Sequence, residues 1–218
     1  MIVVENVTVL FGRTLALDAV DLAIDDGITG VFGPNGSGKS TLLKAIAGLI
    51  RPQEGRISID GSDGAHDEST RRRIGYAGHG SGLYGRLSLT ENLVLFASLY
   101  GANPGRHSEL IEALDLVGFA ARPVAELSAG SKRRAAVARA LVHDPDVLLL
   151  DEPYANVDDD SSEAISRVIA EWKAEGKTAL VATHGAKKVK AYADGGIILQ
   201  RGHLIRTGRY TESGFTAS

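Results

Sequence analysis

A glycine-rich segment constrains this chain more than any other feature. It reads Gly33-Pro34-Asn35-Gly36-Ser37-Gly38-Lys39-Ser40-Thr41 and separates an apolar run at 28–32 from apolar residues at helical spacing over 41–49. This order predicts a buried strand, a tight loop and a helix, with backbone N–H groups and the helix N-terminus converging on one point. Such a loop holds nucleotide phosphates, with Lys39 neutralising the β- and γ-phosphates and Ser40 ligating Mg²⁺. We call residues 33–40 the phosphate loop.

A second predicted strand ends in two acidic residues. Residues 147–150 form an uninterrupted apolar run, typical of a parallel strand buried on both faces, and Asp151 and Glu152 follow directly. Asp151 is suited to holding Mg²⁺, and Glu152 to polarising an attacking water molecule. By itself an apolar strand that ends in Asp-Glu is as often purely structural. Together with the phosphate loop it predicts nucleotide hydrolysis.

Bulk composition excludes several classes of function. The 218 residues carry a net charge of −3, which argues against a large nucleic-acid footprint, and contain no cysteine for disulfides, thiol catalysis or Cys-ligated metals. The richest apolar run, 93–102, is far shorter than the ~20 residues that span a bilayer. Since the N-terminus also lacks the pattern of a secretory signal, we expect a cytoplasmic chain whose membrane role, if any, comes through a partner.

A short segment before a predicted helix makes the resemblance to a family specific. This signature segment reads Leu127-Ser128-Ala129-Gly130-Ser131. It resembles the signature of ATP-binding cassette (ABC) proteins, usually Leu-Ser-Gly-Gly-Gln, from which Ala129 and Ser131 depart. The resemblance covers nearly the whole chain in the family's order. It implies that ATP is bound between two cassettes, either two copies of this chain or this chain and a homologue, with Ser128 and Gly130 contacting the ATP held by the other cassette. Ser128 could also cap its own helix.

The resemblance also implies a fold. It is α/β, with a P-loop NTPase (RecA-like) core around a mainly parallel sheet, an N-terminal antiparallel β subdomain and a small helical subdomain. We expect one domain, 1–218, with an α/β core at 1–78 and 132–218 and a helical lobe at 79–131. The residue patterns agree, with strands at 2–9, 19–24, 28–32, 56–59, 147–150 and 178–182, helices at 41–49, 90–100, 108–117, 131–142 and 161–172, a loop or helix start at 62–70, a turn at 11–13 and a β-hairpin at 197–206.

Four further positions match the family's order. Phe11 lies where the family has an aromatic residue that stacks on adenine, although ordinary core packing is an alternative. Asp158 resembles the family's dimer-contacting aspartate or caps the following helix. His184 resembles the switch histidine that contacts the γ-phosphate. His79 stands where the family has a glutamine that ligates Mg²⁺; an imidazole is a poorer ligand for Mg²⁺, so His79 acts directly, through water or not at all.

The leading hypothesis is a Mg²⁺-dependent ATPase subunit of an ABC transporter, peripheral on the inner face of the cell membrane. Two cassettes would close on two ATP molecules and drive separate transmembrane permease subunits, with Tyr84 and Leu87 as candidate docking residues. The alternative is a soluble ABC ATPase of an assembly complex, of iron–sulfur type. A P-loop kinase or GTPase is a different class, and the chain lacks the Asn-Lys-x-Asp motif that reads guanine. A weak resemblance points to cassettes of heme-exporter and efflux type.

Overall fold

The computed structural model describes residues 1–63, 67–211 and 214–217. These residues form ten β-strands and seven α-helices, in the order β1 Ile2–Phe11, β2 Thr14–Ile24, β3 Gly27–Phe32, α1 Lys39–Ile46, β4 Glu54–Ile59, α2 Glu68–Arg72, β5 Ile74–Ala77, α3 Leu89–Tyr100, α4 Arg106–Ala113, α5 Ala129–Leu141, β6 Val147–Asp151, α6 Asp159–Lys173, β7 Thr178–Thr183, α7 Ala186–Lys190, β8 Gly195–Gln200, β9 His203–Thr211 and β10 Gly214–Ala217. No helix in the described ranges is long and apolar enough to cross a bilayer.

The strands form two sheets. The larger sheet has the order β10-β9-β8-β3-β7-β6-β5, in which β5, β6, β7, β3 and β8 are parallel to one another. At its other edge β9 pairs antiparallel with β8, and β10 pairs antiparallel with β9. The smaller antiparallel sheet has the order β2-β1-β4. The predicted α/β fold, with its mainly parallel sheet and N-terminal antiparallel strands, is confirmed. Because β3, β7 and β6 are parallel neighbours, the residues that follow them meet at one edge of the sheet.

Two hydrophobic clusters cover the two faces of the large sheet. Leu149 and Leu180 belong to the cluster that also contains α1 and the antiparallel sheet. Leu148 and Val181, their neighbours along β6 and β7, belong to the cluster that contains α5, α6 and the lobe helices α3 and α4. Every residue of β6 and β7 is buried. Since consecutive side chains of a strand point to opposite faces, these strands need apolar residues at almost every position, which explains their unbroken apolar runs.

The helical lobe is closed by local hydrogen bonds. Ser88 and Glu91 form a capping box at the start of α3, and Gly101 ends the helix in a left-handed conformation. The fully buried Asn92 accepts from the Tyr84 N–H at 2.7 Å and donates to three backbone carbonyls, so the loop before α3 is fixed to the helix. The expected division between lobe and core at 131/132 falls inside the continuous helix α5. The division into core and lobe otherwise stays a prediction.

Several short elements differ from the prediction. The strand β1 extends through Phe11, so the hairpin turn is Gly12-Arg13 rather than 11–13. The sequence did not indicate β5, α7 or β10, which are four or five residues long and depend on neighbours for their formation. Within β5, a Cβ on Gly75 would lie 2.2 Å from the Ala140 carbonyl oxygen, so glycine is needed there to let α5 approach the sheet. Residues 64–66 of the expected loop at 62–70 lie outside the described residues.

Candidate nucleotide-binding site

The phosphate loop connects β3 to α1 in a conformation that depends on glycine. Gly33 and Gly38 have φ values of 148° and 106°, which residues with a β-carbon rarely adopt. A Cβ on Gly33 would lie 2.2 Å from the Leu199 carbonyl oxygen, and one on Gly38 would lie 2.7 Å from the Ala16 carbonyl oxygen. The two glycines therefore pack closely against the backbones of β8 and β2, where a side chain would not fit. The N-cap Gly38 supplies no side-chain acceptor, so the first N–H groups of α1 are open to an anion.

Lys39 and Ser37 are the two buried polar residues of this loop. Lys39 is only 6% exposed, and its Nζ donates to the carbonyls of Gly33 and Pro34 at 2.8 and 3.2 Å. The ammonium group is therefore folded back over the loop, where a nucleotide phosphate would lie. The buried Ser37 Oγ has no hydrogen-bond partner. Because an unpaired buried hydroxyl is costly, this atom is suited to a ligand or water in the loop.

The two acidic residues lie where β6 ends, opposite the phosphate loop. Ser40 Oγ donates to Asp151 Oδ1 at 3.0 Å, and Asp151 is only 2% exposed. A serine hydroxyl beside a buried carboxylate is a hard oxygen pair that fits Mg²⁺, which usually takes one or two protein ligands and completes its shell with phosphate and water. In the described part of the chain no cluster of three acidic, histidine or cysteine side chains forms a protein-only metal site. The Ser40 hydroxyl and the Asp151 carboxylate fit a Mg²⁺ ion whose shell a nucleotide and water complete.

Glu152 and His184 are directly bonded to each other. His184 N–H donates to Glu152 Oε1 at 2.9 Å, and His184 Nδ1 lies 3.1 Å from Glu152 Oε2. Glu152 has a φ of 53°, and its N–H donates to the Ala182 carbonyl of β7 at 2.8 Å. The left-handed backbone turns Glu152 away from the strand direction and toward the residue that follows β7. His184 is exposed over 67% of its side chain and can reach a ligand while it holds the carboxylate.

An open cleft of about 520 Å³ joins most of these groups. Its lining includes the predicted residues Phe11, His79, Asp151 and Glu152 and most of the phosphate loop, and also Thr14, Leu15, Ala16 and Lys44. The sequence analysis did not single out these four residues. Thr14, Leu15 and Ala16 reach the cleft because β2 returns beside Phe11 after a two-residue turn, and Lys44 lies on α1 just after the phosphate loop. Phe11 is 52% exposed at the end of β1, which does not fit the alternative of ordinary core packing.

The signature segment lies outside this cleft. Ser128 caps α5, and its Oγ accepts from the Ser131 N–H at 3.1 Å and donates to Ser131 Oγ at 3.1 Å. Gly130 packs against α6, where a Cβ would lie 3.1 Å from Ser161 Oγ and 3.5 Å from Asp158 Oδ2. Neither Ser128 nor Gly130 is among the residues that line the cleft, so the structure does not bring all the predicted nucleotide contacts together in one chain.

Asp158 is the N-cap of α6. Its carboxylate accepts from the Ser161 N–H at 2.7 Å, and this backbone hydrogen bond is the main reason that its pKa is lowered. The capping role is therefore present, as the sequence allowed. Asp158 remains exposed next to Gly130, and a contact with a second cassette stays a prediction.

Comparison with known proteins identifies the family. The ABC transporter family model matches residues 17–155. The ABC transporter ATP-binding protein NatA of Bacillus subtilis is 37% identical over 200 residues, which cover 88% of this chain and 81% of that protein. An Fe(3+) ions import ATP-binding protein of Escherichia coli O157:H7, FbpC, is 34% identical over 210 residues, 94% of this chain and 60% of that protein. The chain thus spans about three fifths of the length of the second relative.

Solved structures agree with the sequence comparison. A dimeric ATP-binding cassette in a post-hydrolysis state, bound to ADP and Pi, superposes with a TM-score of 0.88 and is 30% identical. The aligned part covers 96% of this chain and 98% of that cassette. The cassette cbiO1 of Clostridium perfringens, part of the ABC transporter complex cbiONQ, superposes with a TM-score of 0.80 and is 28% identical. The aligned part covers 95% of this chain and 88% of cbiO1. Since sequence and structure agree over nearly the whole length, this chain belongs to the ABC transporter family and is an ATP-binding subunit that hydrolyses ATP.

Proposed function

We propose that two cassettes of this kind close on two ATP molecules and thereby power transport by separate membrane subunits. The observation that carries this proposal is the division of the site. The phosphate loop and the acidic residues line one cleft, whereas Ser128 and Gly130 lie outside it. A single chain therefore presents half of two sites, and a two-fold dimer would complete both. The dimeric relative bound to ADP and Pi supports the same arrangement.

Within its own cleft, the chain would hold the nucleotide as follows. Backbone N–H groups at the start of α1 would bind the phosphates, and Lys39 would leave the Gly33 and Pro34 carbonyls to neutralise them. Ser40 and Asp151 would hold Mg²⁺, which would supply charge neutralisation at the phosphate oxygens. The exposed ring of Phe11 at the mouth of the cleft would stack on adenine. His79 lines the cleft and would reach the nucleotide through water.

Glu152 and His184 would act on the attacking water. Glu152 is placed one residue beyond Asp151, and its carboxylate accepts both a backbone and a side-chain hydrogen bond from His184. These bonds fix the carboxylate so that it can orient water and take its proton. The other ring nitrogen of His184, Nε2, would face the γ-phosphate.

The partner cassette would supply the other contacts. The start of α5, with Ser128 and Gly130, would face the γ-phosphate bound by the other copy, because a serine hydroxyl and a helix N-terminus both favour an anion. Asp158, beside Gly130, would contact the second copy.

Transport rests on the relatives. NatA is named an ABC transporter ATP-binding protein and FbpC an Fe(3+) ions import ATP-binding protein, whereas an assembly complex is not favoured. The chain would dock on a membrane permease through the lobe, where Tyr84 is 57% exposed and stacks on Phe96 at 6.3 Å. Leu87, in the same loop, is partly buried. Pull-down of native protein should recover a multi-spanning membrane protein, and recovery of only soluble scaffold proteins would contradict transport.

The dimer is tested with the Glu152→Gln chain, which should bind ATP but hydrolyse it slowly. With ATP and Mg²⁺ this variant should elute from size-exclusion chromatography as a dimer, and it should return to a monomer when EDTA removes the metal. The double variant Glu152→Gln/Lys39→Ala is the control, since it loses nucleotide binding. A Glu152→Gln chain that binds ATP and stays monomeric at every concentration would be evidence against a shared site.

A further inference from the structure

Two arginines of α5 hold the segment that carries His79. Arg133 donates from Nη1 to the Gly78 carbonyl at 2.7 Å and from Nη2 to the His79 carbonyl at 3.4 Å. Arg139, further along the helix, donates from Nη2 to the Tyr76 carbonyl at 2.6 Å. The backbone of residues 76–79 is therefore bonded repeatedly to the helix that begins at the signature segment.

The environment of Arg139 keeps its guanidinium in place. Arg139 lies over the Phe96 ring of α3, with 5.2 Å between Cζ and the ring centroid. Gly82 also lies close to this guanidinium, because a Cβ there would be 3.1 Å from Arg139 Cζ. Burial lowers the pKa of Arg139. Since a buried guanidinium stays charged, its bond to the Tyr76 carbonyl is charge-assisted and stronger than a neutral one.

Arg133 lies between the two functional surfaces of the chain. Together with His79, Ala129 and Asn156 it lines a cavity of about 230 Å³. His79 also lines the nucleotide cleft, so it forms part of the wall between the two spaces. Burial lowers the pKa of Arg133, and the charges of Asp151 and Glu152 act against this effect. The Arg133 guanidinium is thus within electrostatic range of both acidic residues of its own cleft.

We infer that Arg133 is a positioning residue that makes Gly78 and His79, which follow β5, move together with the first turns of α5. Arg139 anchors the later part of α5 to Tyr76 within β5. His79 then follows the position of the signature segment of its own chain. This inference rests on the proposed function, in which that signature segment serves the ATP of the partner while His79 faces the ATP of its own cleft. Arg133 therefore links the two nucleotide sites of the dimer.

The test compares Arg133→Gln, Arg133→Lys and Lys132→Gln with the unchanged chain. Lys132, on the same turn of α5, donates to the Ala125 carbonyl at 2.9 Å and has no bond to the 76–79 segment, so it is the matched control. For each chain we would measure kcat and the Hill coefficient for ATP hydrolysis, the affinity for a fluorescent ADP analogue, and Tm.

Arg133→Gln should lower kcat about tenfold, the effect expected for loss of a charge-assisted hydrogen bond, and bring the Hill coefficient toward one. Its ADP affinity should change by less than about twofold, since the phosphate loop is untouched. Arg133→Lys should recover part of kcat, and Lys132→Gln should behave as the unchanged chain. An unchanged kcat and Hill coefficient in Arg133→Gln would overturn the inference, as would a parallel loss of ADP affinity and Tm, which is the pattern of a merely structural residue.

The same variants in the Glu152→Gln background separate this inference from the proposed function. If Glu152→Gln alone dimerises with ATP and addition of Arg133→Gln raises the ATP concentration needed, the inference is supported. If both chains dimerise at the same ATP concentration, only the link between the sites fails. If Glu152→Gln alone does not dimerise, the proposed function and the inference fall together.

Discussion

The starts of α1 and α5 are both candidate phosphate sites, yet their local structures differ. The helix α1 begins at a left-handed Gly38 that offers no side-chain cap, and Lys39 lies folded over the loop before it. The helix α5 begins at Ser128, whose Oγ already accepts from the Ser131 N–H. The first terminus thus keeps its donors free, and the second satisfies one of its donors by itself.

This difference indicates two modes of anion binding. The phosphate loop is shaped for a ligand even in the isolated chain, because its first helical N–H groups have no side-chain cap and the buried Ser37 Oγ has no partner. The start of α5 is stable without a ligand and contributes only when another surface brings an anion to it. We therefore expect changes at α1 to affect nucleotide affinity and changes at α5 to affect dimerisation and turnover.

Lys39→Ala should give the largest effect. Loss of the ammonium group should weaken ADP binding about 100-fold or more, because a charge-assisted contact to phosphate is removed from a partly enclosed site. Calorimetric titration with ADP would measure this. Lys44→Ala is the matched control, since Lys44 lies on the same helix and lines the edge of the cleft. An equal loss in both variants would mean that general positive charge, rather than the position of Lys39, binds the phosphates.

Ser128→Ala should separate the two modes. ADP affinity should be retained while kcat falls about tenfold, since in the proposed dimer the lost hydroxyl would contact the partner's nucleotide and not the nucleotide in its own cleft. Loss of the cap should also cost about 1 kcal/mol of stability. Ser88→Ala, which removes the corresponding cap of α3, should cost similar stability in a denaturant titration and leave kcat unchanged. If Ser88→Ala lowers kcat as much as Ser128→Ala does, the effect of Ser128→Ala comes from lost stability rather than from a lost contact with ATP.

Gly130→Ala should weaken ATP-driven dimerisation severalfold. The added Cβ would lie 3.1 Å from Ser161 Oγ and 3.5 Å from Asp158 Oδ2, so the Ser161 side chain or the start of α6 must give way by a few tenths of an ångström. Sedimentation in the Glu152→Gln background would measure the dimer. A normal dimer would mean that neither Gly130 nor Asp158 lies at the interface.

Ala129→Gly should produce the smallest change, and in the opposite direction. Removing the β-carbon restores the residue usual in the family and should tighten the ATP-bound dimer by about twofold, while glycine at a helix start costs up to about 1 kcal/mol. Dimerisation at a series of ATP concentrations would measure the gain. A weaker dimer would show that the alanine side chain itself packs at the interface.

The sequence was sufficient for the elements whose patterns are local. The phosphate loop and the acidic pair were predictable because strand, loop and helix each carry their own signal, as in β3, α1 and β6. The Ser40–Asp151 hydrogen bond joins residues far apart in the chain, but the parallel arrangement of strands made their proximity foreseeable.

What escaped prediction depends on tertiary contacts. Thr14 and Leu15 line the cleft only because a tight hairpin returns β2 beside Phe11. The bonds from Arg133 to Gly78 and His79 cannot be read from the basic run 132–134, which by itself looks like an exposed helix face. Short strands such as β5 form because a neighbouring strand and α5 hold them, and no local pattern encodes that.

The left-handed backbone of Glu152 has a consequence for attempts to engineer this protein. A residue with a β-carbon at a φ of 53° costs about 1 kcal/mol relative to glycine, and asparagine tolerates the same conformation better. A library screened only for thermal stability should therefore enrich Gly or Asn at position 152. The selected proteins would be more thermostable but would lack the Glu152 carboxylate. Selection for thermal stability and selection for ATP turnover would thus favour different residues at position 152.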